Sequence, residues 1–140
     1  MTTLTSIEER ELLQTQRSFM TIKTLAEQAK ATFVGISQID WNAPLHQDGF
    51  INDSEVTQLI ELGAVGEIAG WAYDRQGVLI QGATNSRVAG VPLEQTAQRL
   101  IIGIAGGVKK VESILAALRG KLITGLITDE VVAQAILDKI

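Results

Sequence analysis

The stretch from Leu100 to Lys139 restricts the possible folds more than any other part of the chain. Leu100–Ala105 is a near-continuous apolar run, Gly106-Gly107 breaks it, and Val108–Arg119 then repeats apolar residues at Val108, Val111, Ile114, Leu115 and Leu118. An apolar run of strand length reads as a buried strand, and apolar spacing of three to four residues reads as a one-sided helix. Gly120 ends that helix, Leu122–Ile127 reads as the next strand, and Thr128–Lys139 as the last helix. Strand, glycine turn, helix, strand, helix is the order of a parallel sheet with right-handed crossovers. The expected class is therefore α/β with a parallel-rich sheet.

Upstream of this segment the pattern is less regular. Ser6 and Glu9 have capping-box spacing, so a helix is expected in the first residues. Ser18–Lys30 carries Met20, Ile22, Leu25 and Ala29 on one helical face, and Ala31–Ile36 reads as a short buried strand. Ser37–Phe50 lacks periodicity, contains Pro44 and Gly49, and is expected to be a loop. Asn52 and Glu55 are placed to cap a helix over Asp53–Leu62, with Gly63 at its left-handed end. Ile68–Tyr73 and Val78–Ile80 flank Asp74-Arg75-Gln76-Gly77, which predicts a hairpin. Pro92 suits the first turn of a short helix running to about Gln98.

Composition removes whole classes of function. The 140 residues contain no Cys and one His, so a thiolate nucleophile, a disulfide framework and a multi-histidine metal centre are excluded. A formal charge of −4 argues against a nucleic-acid surface within this stretch, since phosphate binding needs clustered positive charge. No apolar run approaches the ~20 residues that a membrane span needs, and Glu8, Glu9 and Glu11 are foreign to a signal peptide. A cytoplasmic location is expected, with no metal and no cofactor. There is no Gly-x-Ser-x-Gly elbow and no phosphate-binding loop of the Walker type.

Two places remain where chemistry is expected. At Gly106-Gly107 a ligand can approach the backbone closely, and the helix that follows offers unpaired N–H groups and a positive dipole end to an anion. Lys110 lies in the first turn after these glycines, where its ammonium can reach the same anion. The plain alternative is a tight turn followed by a solvated lysine. Glu67 lies between Gly66 and the apolar strand, where it can accept hydrogen bonds from sugar hydroxyls or simply face water. Trp71 and Tyr73 can line a sugar pocket or pack in the core, and Asn85 with Arg87 can recognise an anion or form a capped turn. His46 lies in the loop with no evident partner and is given no catalytic role.

Four segments in this order resemble signature stretches of the SorC-type sugar-binding transcriptional regulators: Gly63–Asp74, Asn85–Gln95, Ala105–Gly120 and Leu122–Glu130. The similarity extends weakly to Val34-Gly35-Ile36 and the helices before it. The resemblance implies a three-layer, Rossmann-like effector domain related to ribose-5-phosphate isomerase, glucosamine-6-phosphate deaminase and CoA transferases. It implies a phosphorylated sugar as effector, a homo-oligomer (dimer or tetramer), and no enzymatic activity. Carried over by position, Glu67 matches an acidic residue that faces sugar hydroxyls and Lys110 a lysine that faces the ligand. The family commonly has Gly-Ile-Gly-Ser where this chain has Gly35-Ile36-Ser37-Gln38, and Asn-Asp-Arg at Asn85-Ser86-Arg87. Residues 1–140 correspond to a partial effector domain, with the DNA-binding helix-turn-helix absent, so that DNA is contacted only by a part outside this chain. Two alternatives accompany this expectation: a sugar-phosphate isomerase or deaminase-like enzyme, for which Glu67 is the sole acid/base candidate, and a fragment that only oligomerises.

Overall fold

A computed structural model covers the chain, and the residues it describes are 3–93 and 98–140. The elements are α1 (Ile7–Gln14), α2 (Arg17–Gln28), β1 (Ala31–Gly35), β2 (Ser37–Gln38), α3 (Pro44–Gln47), α4 (Asp53–Glu61), β3 (Ala64–Ile68), β4 (Trp71–Asp74), β5 (Leu100–Ile104), α5 (Val111–Arg119), β6 (Gly125–Ile127) and α6 (Glu130–Leu137). Single 3-10 turns occupy Ala83–Arg87 and Val108–Lys110. The strands form two sheets. One is parallel, in the order β1-β5-β6, and the other is antiparallel, in the order β2-β3-β4. The α/β class, the parallel sheet and a hairpin are thus as the sequence indicates.

Two apolar clusters hold the layers together. In the first, Val111, Ile114, Leu115, Ala116 and Ala117 of α5 pack with Ile101 of β5, Tyr73 of β4, Leu122, Ile123, and Val132 and Ile136 of α6. Helix α5 is therefore the wall shared by both sheets. In the second, Val56 and Leu59 of α4 and Leu45 of α3 pack on Ala64 and Ala72 of the antiparallel sheet. Tyr73 ties the antiparallel sheet to α5, because its hydroxyl donates to the Ser113 carbonyl at 3.0 Å. Its ring fills the space beside Gly66, where a Cβ would lie 2.6 Å from the ring carbon Cζ.

Several boundaries differ from expectation for identifiable reasons. Besides the expected turn at Asp74–Gly77, the chain makes a second hairpin, β3 to β4, at Ala69-Gly70, both with positive φ (51° and 90°). Two successive left-handed residues make a tight two-residue turn whose twist suits a hairpin. The Asp74–Gly77 turn forms as expected: the Asp74 N–H donates to the Val78 carbonyl at 2.9 Å, the Ile80 N–H to the Ala72 carbonyl at 3.0 Å, and Tyr73 bridges Leu79 in antiparallel sense. The expected loop over Ser37–Phe50 contains strand β2 and the short helix α3, which has Pro44 at its first position. The expected strand Leu122–Ile127 is reduced to its last three residues, since Leu122 and Ile123 turn into the first cluster. Helix α2 forms where the periodicity places it, yet it buries none of its residues. Strand β1, expected to be buried, leaves Phe33 exposed. Pro92 and Leu93 are not helical, and the remainder of the helix expected after Pro92 falls partly on residues 94–97, outside the described residues.

Capping follows the sequence closely. Asn52 and Glu55 form a reciprocal capping box on α4. Ser6 caps α1 by accepting from the Glu9 N–H at 3.1 Å, but the Glu9 carboxylate turns to Thr5 instead of completing the box. Gly120 is not left-handed, and Lys121 takes the positive φ instead. Gly120 serves a different need. A Cβ there would land on the Gly77 carbonyl oxygen, and a Cβ on Gly77 would land on the Ala116 carbonyl oxygen. The turn after β4 and the end of α5 thus meet backbone to backbone.

Candidate functional site

Because β1, β5 and β6 run parallel, their carboxyl ends open at the same edge, which in open α/β sheets is where ligands are received. Three connections leave that edge: Ile36-Ser37 after β1, Ala105-Gly106-Gly107 after β5, and Thr128-Asp129 after β6. Register places Ser37 opposite Glu67, so the antiparallel sheet delivers Glu67 beside the end of β1.

Glu67 is 9% exposed, and its carboxylate accepts the Gly70 N–H at 2.8 Å. Burial raises its pKa above the ordinary 4.5, while the Gly70 N–H, the Ser37 hydroxyl and the positive charge of Lys110 act in the opposite sense. The attraction from Lys110 places that ammonium in the electrostatic reach of Glu67. Lys110 closes the 3-10 turn after the glycines, is half-buried, and its N–H donates to the Gly107 carbonyl at 3.0 Å. Of the expected residues, Glu67 thus has Lys110 in its electrostatic surroundings but no hydrogen bond or ion pair with it among the described residues, and Ser37 is a further polar group at Glu67 that the expected set does not include. Ser37 is hidden in the sequence because its role depends on the β2–β3 register, and a two-residue strand leaves no periodic trace.

The two glycines are placed at the same edge, but their amides are not all open. The Gly107 N–H donates to the Asp129 carboxylate at 2.8 Å, and the other oxygen of that carboxylate accepts the Val132 N–H at 2.8 Å, capping α6. A Cβ on Gly106 would lie 2.9 Å from the same Asp129 oxygen, which accounts for glycine at that position. The hydrogen bonds from Val132 and then Gly107 lower the Asp129 pKa, so it is an anion at neutral pH. The expected open amide is therefore occupied by a carboxylate of the chain itself. A Thr-Asp-Glu run after a short strand is an N-cap signal, but its reach back across 22 residues to Gly107 is a matter of tertiary structure.

The remaining polar residues are structural. The Asn85 side chain accepts from the Ala72 N–H at 2.8 Å and donates to the Ala72 and Ile80 carbonyls at 2.9 and 2.8 Å, standing in for a neighbouring strand. Arg87 pairs with Glu55 and donates to the Leu4 carbonyl, tying the chain start to α4. The Trp71 indole N–H donates to the Val91 carbonyl at 3.1 Å. His46 does have partners: Nε2 meets Asp53 at 2.6 Å and Nδ1 the Trp41 carbonyl at 3.0 Å. Both are acceptors, Asp53 foremost, and they raise the His46 pKa above 6.5. A groove of about 660 Å³ lies nearby, lined by Gln38, Val65, Arg75, Lys109 and Ser113 among others, but by none of the four expected site residues. Among the described residues no group of three or more His, Asp or Glu side chains is placed to hold a metal, and no helix is long and apolar enough to cross a membrane.

Known proteins resemble this chain in sequence and in fold. The family model described as "Putative sugar-binding domain" matches residues 2–138. The transcriptional regulator LsrR of Klebsiella pneumoniae is 37% identical over 138 residues, covering 96% of this chain and 43% of that protein. The full-length sorbitol operon regulator SorC from the same species superimposes with a TM-score of 0.85 at 25% identity, covering 97% of this chain and 44% of its own. A crystal structure bearing the family's description, from a transcriptional repressor of Vibrio fischeri, has a TM-score of 0.85 at 24% identity, covering 97% of this chain and 55% of that one. The chain spans 41% and 43% of the length of the first curated relatives it matches. Matched over nearly its full length, the chain belongs to this family of sugar-binding domains, the one the resemblance to SorC-type transcriptional regulators pointed to.

Proposed function

We propose that this chain is the effector-binding portion of a sugar-responsive transcriptional regulator, and that its ligand is a phosphorylated sugar. The observation that carries the reading is the buried Glu67 carboxylate, set beside Ser37 and within the field of Lys110, at the carboxyl edge of the parallel sheet. Glu67 accepts hydroxyl groups of the sugar, and the Lys110 ammonium holds its anionic group. Asp129 occupies the Gly107 amide, so the phosphate lies against Lys110 and not on that N–H.

No reaction is assigned. Glu67 is held by Gly70 and Ser37, and the relatives named above are regulators. The ligand acts by binding one conformational state of the whole regulator better than another, which is the way an effector shifts an equilibrium. In that whole protein, DNA contact and homo-oligomer formation involve regions beyond this site, and the regulator works in the cytoplasm. Titration calorimetry with ribose 5-phosphate and glucosamine 6-phosphate, each beside its unphosphorylated form, tests the assignment. Lys110→Ala is expected to weaken the phosphorylated sugar by about 10–100-fold, the range of a hydrogen bond to a charged group, and to leave the unphosphorylated form nearly unchanged. Equal losses for both remove the phosphate role, and release of an isomerised or deaminated product overturns the assignment of no reaction.

A further inference from the structure

His46 is the only histidine of the chain, and both of its ring nitrogens face acceptors. Nδ1 lies 3.0 Å from the carbonyl of Trp41, in the turn that follows β2, and Nε2 lies 2.6 Å from the carboxylate of Asp53, the first residue of α4. The Trp41 ring stands edge-on to the imidazole, with centroids 5.6 Å apart and planes at 86°. The His46 side chain is 22% exposed and that of Asp53 84%. Asp53 is the charged group that acts on the ring. Asp40 and Asp48, on the same loop as His46, make no hydrogen bond or ion pair with it among the described residues.

A carbonyl and a carboxylate oxygen accept and do not donate, so both contacts are hydrogen bonds only if both nitrogens carry a proton. Neutral imidazole carries one N–H, and only the imidazolium carries two. When one proton leaves, the carboxylate keeps the remaining N–H, since a bond to a charged acceptor is the stronger. Nδ1 then turns a lone pair toward the Trp41 carbonyl, and that contact becomes repulsive. We propose that His46 is a pH-sensitive latch: with both nitrogens protonated it ties the turn at Trp41 to the first turn of α4, and the loss of one proton frees that turn. The rest of the loop is held by other means. Ala43, Leu45 and Ile51 are buried, and the Phe50 and Ile51 N–H groups donate to the Leu45 carbonyl at 3.0 and 3.2 Å whatever the state of the ring. The release is therefore confined to the Trp41 end, where Asp40 lines the groove of about 660 Å³. Asp53 foremost holds the folded pKa of His46 above 6.5, so the latch stabilises the fold fully below 6.5 and is lost as pH rises through the folded value.

Nuclear magnetic resonance of the untagged 140-residue chain tests this, because a lone histidine gives one unambiguous set of ring signals. The ring is expected to titrate above the ordinary 6.5, and to fall back toward that value in Asp53→Asn. The Asn42 amide, which shares a peptide unit with the Trp41 carbonyl, is expected to shift with the midpoint of the ring in the wild type and to stay flat over the same range in His46→Gln. The Ala43 N–H donates to the Asp40 carbonyl at 3.1 Å within the same turn. Corrected for the intrinsic base-catalysed rate, its hydrogen exchange is expected to quicken about tenfold from about pH 5.5 to 8 in the wild type and not in His46→Gln. A ring that titrates at or below 6.5 overturns the proposal, as does a midpoint that Asp53→Asn leaves unchanged. An Asn42 amide and an Ala43 exchange rate that do not follow the ring overturn it as well.

Discussion

Helix α2 spaces Met20, Ile22 and Leu25 along twelve residues, and α5 spaces Val111, Ile114, Leu115 and Leu118 along nine. Both read as amphipathic helices, and both form. Helix α5 buries six residues between two sheets, whereas α2 buries none. Helix α2 is held at its end by Arg99, whose guanidinium donates to the Ala26 and Glu27 carbonyls at 2.7 and 3.1 Å. The contrast shows what periodicity does and does not specify. It fixes which residues share a face, but the stabilisation comes from what that face meets.

Substitutions on the two helices make the contrast measurable. Ile114 is fully buried, and Ile114→Ala is expected to cost about 2–5 kcal/mol in urea denaturation, through lost transfer energy and a residual cavity. A loss below about 1 kcal/mol would mean that α5 is not the central wall. Glu67, buried within β3 of the antiparallel sheet, gives an intermediate effect with a definite sign. Its folded pKa is raised, so the folded state holds the proton more tightly than the unfolded state. The wild type therefore loses stability as pH rises from the ordinary 4.5 through the raised folded value, and Glu67→Gln does not. Denaturation midpoints of the two proteins measured from about pH 4 to 8 should diverge in that sense, and parallel curves would show a well-solvated carboxylate. The smallest effect belongs to α2. Leu25→Gln is expected to change the stability of the free chain by no more than about 0.5 kcal/mol, and a larger loss would mean that this helix is packed in solution.

Sequence reading succeeds best where local chemistry and tertiary structure agree. The Asn52–Glu55 capping box, the strand Leu100–Ile104, and the helix Val111–Arg119 after two glycines all follow from short-range rules. The hairpin turn at Ala69-Gly70 escapes such rules because Ile68-Ala69-Gly70-Trp71 reads as one apolar run, and nothing local marks Ala69 as left-handed. At the site, Glu67 and Lys110 stand out by type and by position in the resembling motifs. Ser37 depends on strand register, and Asp129 on a contact between distant turns, so neither has a local signature. The exposure of Phe33 is equally hidden, because an apolar residue in a strand looks the same whether or not a layer covers it.

The meeting of Gly77 with Gly120 has a consequence for how this chain can vary. Each residue occupies the volume that any side chain on the other would need, so neither position can be relieved by changing its counterpart. A library randomised at both sites and selected for folding should return the smallest amino acid twice, with no compensating pair among the survivors.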